Sequence, residues 1–334
     1  MKKTFFYRIL IFCSLISILT TACETTIPMS KKKAELCTEM PLALTASAHF
    51  VMNGKAYVFG GRTVENTHNN HIYSYNPTTN EWQDLGATPL QVRVRPRAVS
   101  VGNSVYIGLG SHGTLQIDST YLQDWWRWTP ATNEWKRLAN YPSNRTVGPV
   151  IMTDEQYIYV AYGGKRNFER WIFRYDIAHD QWIEIKDGTE RMALYPPRAH
   201  SVAGAICGER FFVGSGFFTN SHNFWVEMEF SNDSVIWHPC APVPTKRHNA
   251  VAISDDKYVY LVGGSYFGGT LTTGKIYDDI LRYNPQEDNW ESICRLPDGG
   301  RENMVGWIIN DTLYVGLGSD KYNCPCSQIY RVAL

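Results

Sequence analysis

Five aromatic pairs at one fixed spacing constrain this chain more than any other feature. Tyr75 and Trp82, Trp128 and Trp135, Tyr175 and Trp182, Phe230 and Trp237, and Tyr283 and Trp290 each stand seven residues apart, and successive tryptophans advance by 53, 47, 55 and 53 positions. A period near 50 residues marks an array of supersecondary units that bury their faces only by stacking on one another. An apolar run ending in glycine precedes each pair: Val58-Phe59-Gly60-Gly61, Ile107-Gly108-Leu109-Gly110, Tyr162-Gly163-Gly164, Val213-Gly214-Ser215-Gly216 and Val262-Gly263-Gly264. Val315-Gly316-Leu317-Gly318 is a sixth such run, so six units are expected.

Within one unit, an alternating run (249–254), a second run (258–262) closed by glycines, a segment around Tyr283, the turn Asn284-Pro285 and a segment starting at Trp290 read as four short antiparallel strands. A small sheet of this kind must be covered by its neighbours, and radial stacking gives a β-propeller. The glycine doublet, the third-strand aromatic and the fourth-strand tryptophan resemble the kelch repeat, as in the galactose oxidase-like propellers, over residues 34–334. That resemblance implies an all-β, six-bladed kelch-type β-propeller, with blades at 44–89, 93–142, 145–190, 198–244, 247–297 and 301–334. Leu109, Ser215 and Leu317 replace the first glycine in units two, four and six, so intact and altered doublets alternate along the chain.

The sixth unit reaches Tyr330 and the sequence stops at Leu334, before a tryptophan appears. A proline follows the tryptophan by seven at Pro89, Pro142, Pro244 and Pro297, and Pro41 likewise follows Ala34. Cys37, a few residues before Pro41, echoes Cys240 and Cys294. Residues 34–40 are therefore expected to form the outer strand of blade six and leave no open sheet edge. If Tyr330 faces Ala34, residue 326 lies opposite 38, and Cys326 or Cys324 comes within reach of Cys37. Either a disulfide forms there, worth about 5 kcal/mol through the unfolded chain, or the thiols are free and half-buried.

Lys2, Lys3 and Arg8, an apolar stretch from Ile9 to Leu19 and small residues up to Cys23 read as an export signal over 1–22. The apolar core is short for a membrane span. Leu19-Thr20-Thr21-Ala22-Cys23 resembles a bacterial lipoprotein box, which implies lipidation of Cys23, a polar tether over 23–33 and a lipid-anchored position in the cell envelope, at the outer membrane. Plain secretion after Ala22 is the alternative, and export of either kind permits disulfides. Thirty-two basic and 32 acidic side chains balance to a net charge of zero, so nothing in the bulk charge points to nucleic acid.

In an antiparallel blade the start of the innermost strand and the end of the second lie at one rim. Arginine recurs just before the innermost strand, as Arg93, Arg145, Arg198, Arg247 and Arg301, with Leu44 in that place in unit one. Arg62, Lys165 and Arg166 follow glycine pairs and belong to the same rim. Guanidinium forks grip carboxylate or phosphate through paired, charge-assisted bonds; equally, such arginines bond to loop carbonyls and neighbouring acids. The kelch resemblance implies contacts to acidic ligands from these two loop classes. His200, His248 and Glu302 adjoin the ring as candidate acid and base groups, and His112, Tyr266 and Asp320 occupy the other loop class. The run from Gly269 to Lys275 lacks the hydroxyl of a phosphate-binding loop, because Ile276 follows it. His68 with His71, and Cys324 with Cys326, offer two metal ligands each without a second pair.

These features imply a monomeric envelope propeller that binds an anionic glycan or an acidic protein segment at its arginine-rich rim, without chemistry, without a cofactor, and touching the membrane only through its lipid anchor. Val105-Tyr-Ile-Gly-Leu-Gly-Ser-His-Gly-Thr114 resembles the opening blade of the periplasmic N-acetylneuraminate mutarotases, which implies the alternative of a sugar mutarotase. A structural part of an outer-membrane assembly is the third reading. Galactose oxidase needs a tyrosyl-cysteine crosslink and an added domain for its copper, and no region is left here to form that domain.

Overall fold

The computed structural model describes residues 30, 32–113, 120–143, 146, 148–163, 172–187, 196–267 and 274–334; the expected leader and lipidation site lie outside them. Six four-stranded antiparallel blades surround one axis. Blade one runs from its innermost strand Ala48–Met52 to its outer strand Glu81–Ala87, blade two from Arg97–Val101 to Glu134–Arg137, and blade three from Val150–Thr153 to Gln181–Asp187. Blade four runs from Ala203–Cys207 to Ser234–Pro239, and blade five from Val251–Ser254 to Asn289–Arg295. The innermost strands flank one another in a closed circuit, blade six (Val305–Ile309) returning to blade one. At the outer edge Lys186 and Asp187 pair in parallel with Ser234 and Val235, which joins blades three and four into one sheet.

The second strand of each blade explains the apolar runs. Ala56, Val58 and Phe59, or Val259, Leu261 and Val262, are buried on both faces of the pleat because a neighbouring blade covers each face. The aromatic pairs sit in the outer hairpins: Tyr75 faces Trp82, Trp128 faces Trp135, Tyr175 faces Trp182 and Tyr283 faces Trp290. Each of these hairpins has a left-handed Asn or Asp just before the tryptophan, at Asn80, Asn133, Asp180 and Asp288, a conformation their short polar side chains tolerate. Unit four departs from the expected pairing. Ser231 pairs with Ser234 across a two-residue turn, so Trp237 faces Met228 while Phe230 stacks 4.4 Å from Tyr159 of blade three.

In blades three, four and five the hairpin tryptophan also fastens its blade to the one before it. Trp182 donates Nε1–H to the Ala139 carbonyl of blade two, and Asp180 accepts the Ala139 N–H at 2.8 Å. Trp290 and Asp288 treat Ala241 of blade four in the same way, at 2.9 and 2.7 Å. Trp237 reaches Asp187 of blade three.

Glu35–Leu44 is the outer strand of blade six, pairing with Cys326–Ala333. It is longer than the expected 34–40, and its register is shifted. Leu36, not Ala34, faces Tyr330, an irregularity follows between Leu36 and Thr38, and Cys326 lies opposite Leu44. The Cys37–Cys326 bridge is thereby excluded: the two thiols sit several ladder positions apart, and all six described cysteines are free. Cys37 Sγ instead lies 3.2 Å from the hydroxyl of Tyr75 in the next blade. The expected tether ends on the body, where Ser30 N–H donates to Ser292 and Lys32 Nζ to the Ala333 carbonyl.

The glycine doublets do not alternate. Both positions have positive φ, but the first is filled by Gly60, Leu109, Tyr162, Ser215, Gly263 and Leu317, so blade three is altered as well and its doublet is Tyr162-Gly163. Leu109, Tyr162 and Leu317 are fully buried and pack into the cores between blades. The second position is always glycine, at φ from 77° to 101°.

Candidate functional site

That second glycine brings two loops together. In five blades the residue after it forms an antiparallel bridge to the residue that leads towards the innermost strand: Arg62 to Thr45, Ser111 to Val94, Phe217 to His200, Ser265 to His248 and Ser319 to Glu302. His200, His248 and Glu302 therefore occupy one structural position in three successive blades. The next residue turns the chain down the axis through a left-handed conformation: Ala46, Arg95, Gly148, Ser201, Asn249 and Asn303 all have φ between 52° and 59°. Their backbones link into a collar, Arg95 N–H to Ala46, Ala46 to Asn303, Asn303 to Asn249 and Asn249 to Ser201, at 2.7–3.1 Å.

Arg93, Arg247 and Arg301, expected at the mouth, are not there. Their residue exposures are 0, 0 and 3%. Arg93 forks onto Asp124 at 2.7 and 2.8 Å and donates to the Leu109 carbonyl; Arg247 does the same with Asp279 and Gly263. Arg301 bonds to Gln328 and the Tyr330 hydroxyl. Each ties the approach to the innermost strand to the start of the third, and leaves no fork for a ligand. Arg198 stands one residue before Ala199, which holds the equivalent place in blade four, and is exposed. Arg145, Lys165 and Arg166 lie outside the described residues.

The side chains at the mouth come two positions later. A cleft of about 440 Å³ above the collar is lined by Arg62, His68, Arg95, Glu302, Asn303 and Asn323, among others. Arg62 donates to the Asn323 side-chain oxygen at 2.7 Å. Arg95 extends Nη1 to Ser201 Oγ at 3.4 Å; burial lowers its pKa, while Glu302 and Tyr121 favour its charge. Burial, His112 and Arg62 lower that of His68. Sequence reasoning missed Arg95 and Asn323, although the alternation Arg93-Val94-Arg95-Pro96-Arg97 carried the signal for the first.

Behind the cleft a hydrogen-bond chain joins two of the candidate acid and base groups. Glu302 Oε2 accepts from Ser265 Oγ at 2.6 Å and from Asn249 Nδ2 at 2.9 Å. Because Ser265 gives its one proton to the carboxylate, His248 Nε2, 3.1 Å away, must donate to Ser265, and its Nδ1 accepts from Ser221 at 2.9 Å. Ser221 takes the Phe267 N–H in turn, which fits that tautomer. Burial holds His248 at about 4, with Arg95 adding to the effect and Glu302 opposing it. His200 is also held at about 4, by burial and then by Arg95 and His248; it meets Ser201 Oγ at 3.0 Å, and Phe217 lies between the two imidazoles. His112 and Asp320 serve their own loops, Asp320 accepting the N–H groups of Tyr322 and Cys324. Tyr266 pairs with Lys275 in a short rim hairpin.

Comparison with known proteins agrees with this architecture. The KLHDC2/KLHL20/DRC7 Kelch-repeats domain matches residues 22–216 and the Kelch motif matches 246–293. Kelch-like protein terF of Aspergillus terreus is 22% identical over 78% of this chain and 56% of its own length. N-acetylneuraminate epimerase of Pasteurella multocida is 27% identical over 66% of this chain and 51% of its own. The chain thus spans about half the length of these curated relatives. The solved structure of YjhT has the same fold, with a TM-score of 0.71 at 17% identity, covering 89% of this chain and 96% of that one. Sequence period, blade register and family match converge, and the chain belongs to the kelch-repeat proteins, as a six-bladed propeller.

Proposed function

We propose that the cleft above the collar binds an anionic carbohydrate without chemical change, and that the protein does so as an exported, lipid-anchored component of the cell envelope. One observation carries the binding reading: Arg62 and Arg95, from different blades, line one open cleft together with Glu302, its one carboxylate among the described residues. Two guanidinium groups against one acid leave a positive excess that a sugar carboxylate neutralises. Asn303, Asn323 and Glu302 are suited to its hydroxyls. Calorimetry with sialic acid and with an oligouronate at low salt tests it. Arg95→Gln should weaken binding about tenfold or more, since a charge-assisted bond is worth about 1.5–3 kcal/mol; unchanged affinity in Arg95→Gln and Arg62→Gln would remove the reading. For the anchor, a labelled fatty acid should enter the wild type and not Cys23→Ser, and equal labelling would refute it.

A second reading, a sialic acid mutarotase, is supported by the Ser221–His248–Ser265–Glu302 chain that ends at the cleft and by the similarity to N-acetylneuraminate epimerases. Ring opening requires a base to take the anomeric hydroxyl proton while an acid protonates the ring oxygen, and closure on the other face returns both. NMR of freshly dissolved sialic acid separates the two readings. Faster anomer exchange with wild type, lost in Glu302→Gln, means enzyme, and an unchanged rate means binder.

A further inference from the structure

On the inner side of the collar lies a second cavity, of about 190 Å³, lined by the collar residues and the first residues of the innermost strands. Most of these residues are small or apolar. Two positions below the collar, blades one, three, four and five place Ala48, Val150, Ala203 and Val251; blade two places Arg97. One position deeper, blade one alone contributes a polar side chain, His49. The Arg97 guanidinium donates Nε–H to the Pro149 carbonyl and Nη1–H to that of Pro96, and Nη2 has no protein partner among the described residues. His49 Nδ1 is buried without a partner as well. Among the described residues no carboxylate lines the cavity, and the charge of Arg95 acts on Arg97 and repels it.

Arg97 is half-buried, and a cation among apolar groups and beside a second cation is costly unless a counter-charge joins it. The acids that offset the other inward arginines are bonded elsewhere: Asp124 to Arg93, Asp279 to Arg247. We infer that the axial channel holds a small inorganic anion, of chloride to phosphate size, on the free guanidinium edge of Arg97 beside His49. The collar residues Ala46, Arg95 and Asn303 line both this cavity and the rim cleft, so the anion site abuts the mouth from below. The anion neutralises the hub of the propeller where protein carboxylates do not, and couples blades one and two through it. Burial brings Arg97 down to about 10, consistent with an environment that lacks a compensating acid.

The test uses the whole protein in a buffer whose own anion is too bulky for the channel. Adding bromide or phosphate should raise the melting temperature along a saturable curve, and a bromide-soaked crystal should show an anomalous peak within hydrogen-bond distance of Arg97. Arg97→Met should abolish both. A rise that is unsaturable and equal in wild type and Arg97→Met, water alone at Arg97, or a bromide peak without saturable stabilisation would each overturn the proposal. Should Arg97→Met fail to fold, the wild-type titration and soak decide the matter.

Discussion

At Gly264 a methyl group would stand 2.7 Å from the His248 carbonyl oxygen, on a backbone at φ +91°. The same collision recurs at Gly110 and Gly318 against Val94 and Glu302, which is why the second doublet position never varies while the first accepts leucine, serine or tyrosine. Gly264→Ala should therefore cost about 1–3 kcal/mol in stability, read from urea unfolding, whereas Ser215→Gly should change it little; equal effects would show that the rim loops give way. The buried imidazoles supply a second expectation. His200 and His248 are held at about 4 when folded, against an ordinary 6.5, so the unfolded chain takes up their protons first. Their contribution is complete above pH 6.5 and drains away as pH falls towards 4, by at most about 1.4 kcal/mol per pH unit for each histidine. Denaturant midpoints across that window should fall with acid, and His200→Asn should flatten the slope. Glu302 at the cleft, and His200 and His248 at the same bridging position of their blades, were legible because they follow the recurring arginine. Arg93, Arg247 and Arg301 themselves misled: their spacing was visible, but whether a fork meets a ligand or Asp124 depends on a third strand some thirty residues away.

The outer hairpin is an element with two duties, closing its own blade and holding the previous one. Asp288 accepts from the Tyr283 hydroxyl within the hairpin and from Ala241 N–H outside it, both at 2.7 Å. Asp288→Gly tolerates the positive φ yet loses both bonds, and should cost about 1–3 kcal/mol, while Asp288→Asn keeps an acceptor oxygen and should lie near wild type. Calorimetric melting of the two variants checks this, and equal losses would assign the effect to charge instead. The seven-residue spacing disclosed these hairpins because a four-residue turn places positions seven apart in register. In unit four the spacing survived while the pairing changed, because Phe230 and Trp237 still share a face across a shorter turn. The closing strand failed in register because Leu36 rather than Ala34 meets Tyr330, and the irregularities between Leu36 and Thr38 and between Glu39 and Leu44 add to that offset without leaving a mark in a count of residues.

For the molecule as a whole, closure rests on Glu35–Leu44, which buries Met40 and Leu44 against blades six and one and covers the strand that ends at Ala333. A chain shortened to begin at Thr45 should expose that edge, melt at lower temperature and self-associate; light scattering and calorimetry report both, and a monomer of unchanged stability would mean that the hub alone holds the ring. The ring and its closure were readable from the period and from the missing sixth tryptophan. The collar was not, since residues as different as alanine, arginine and asparagine share one backbone conformation there. Lys32 reaches Ala333 and Leu334 N–H reaches Asp311 at the foot of the sixth blade, while Leu44 rises to the rim. Both ends of the folded body are thus gathered on the underside, so whatever is joined to either one would leave the opening facing away from it.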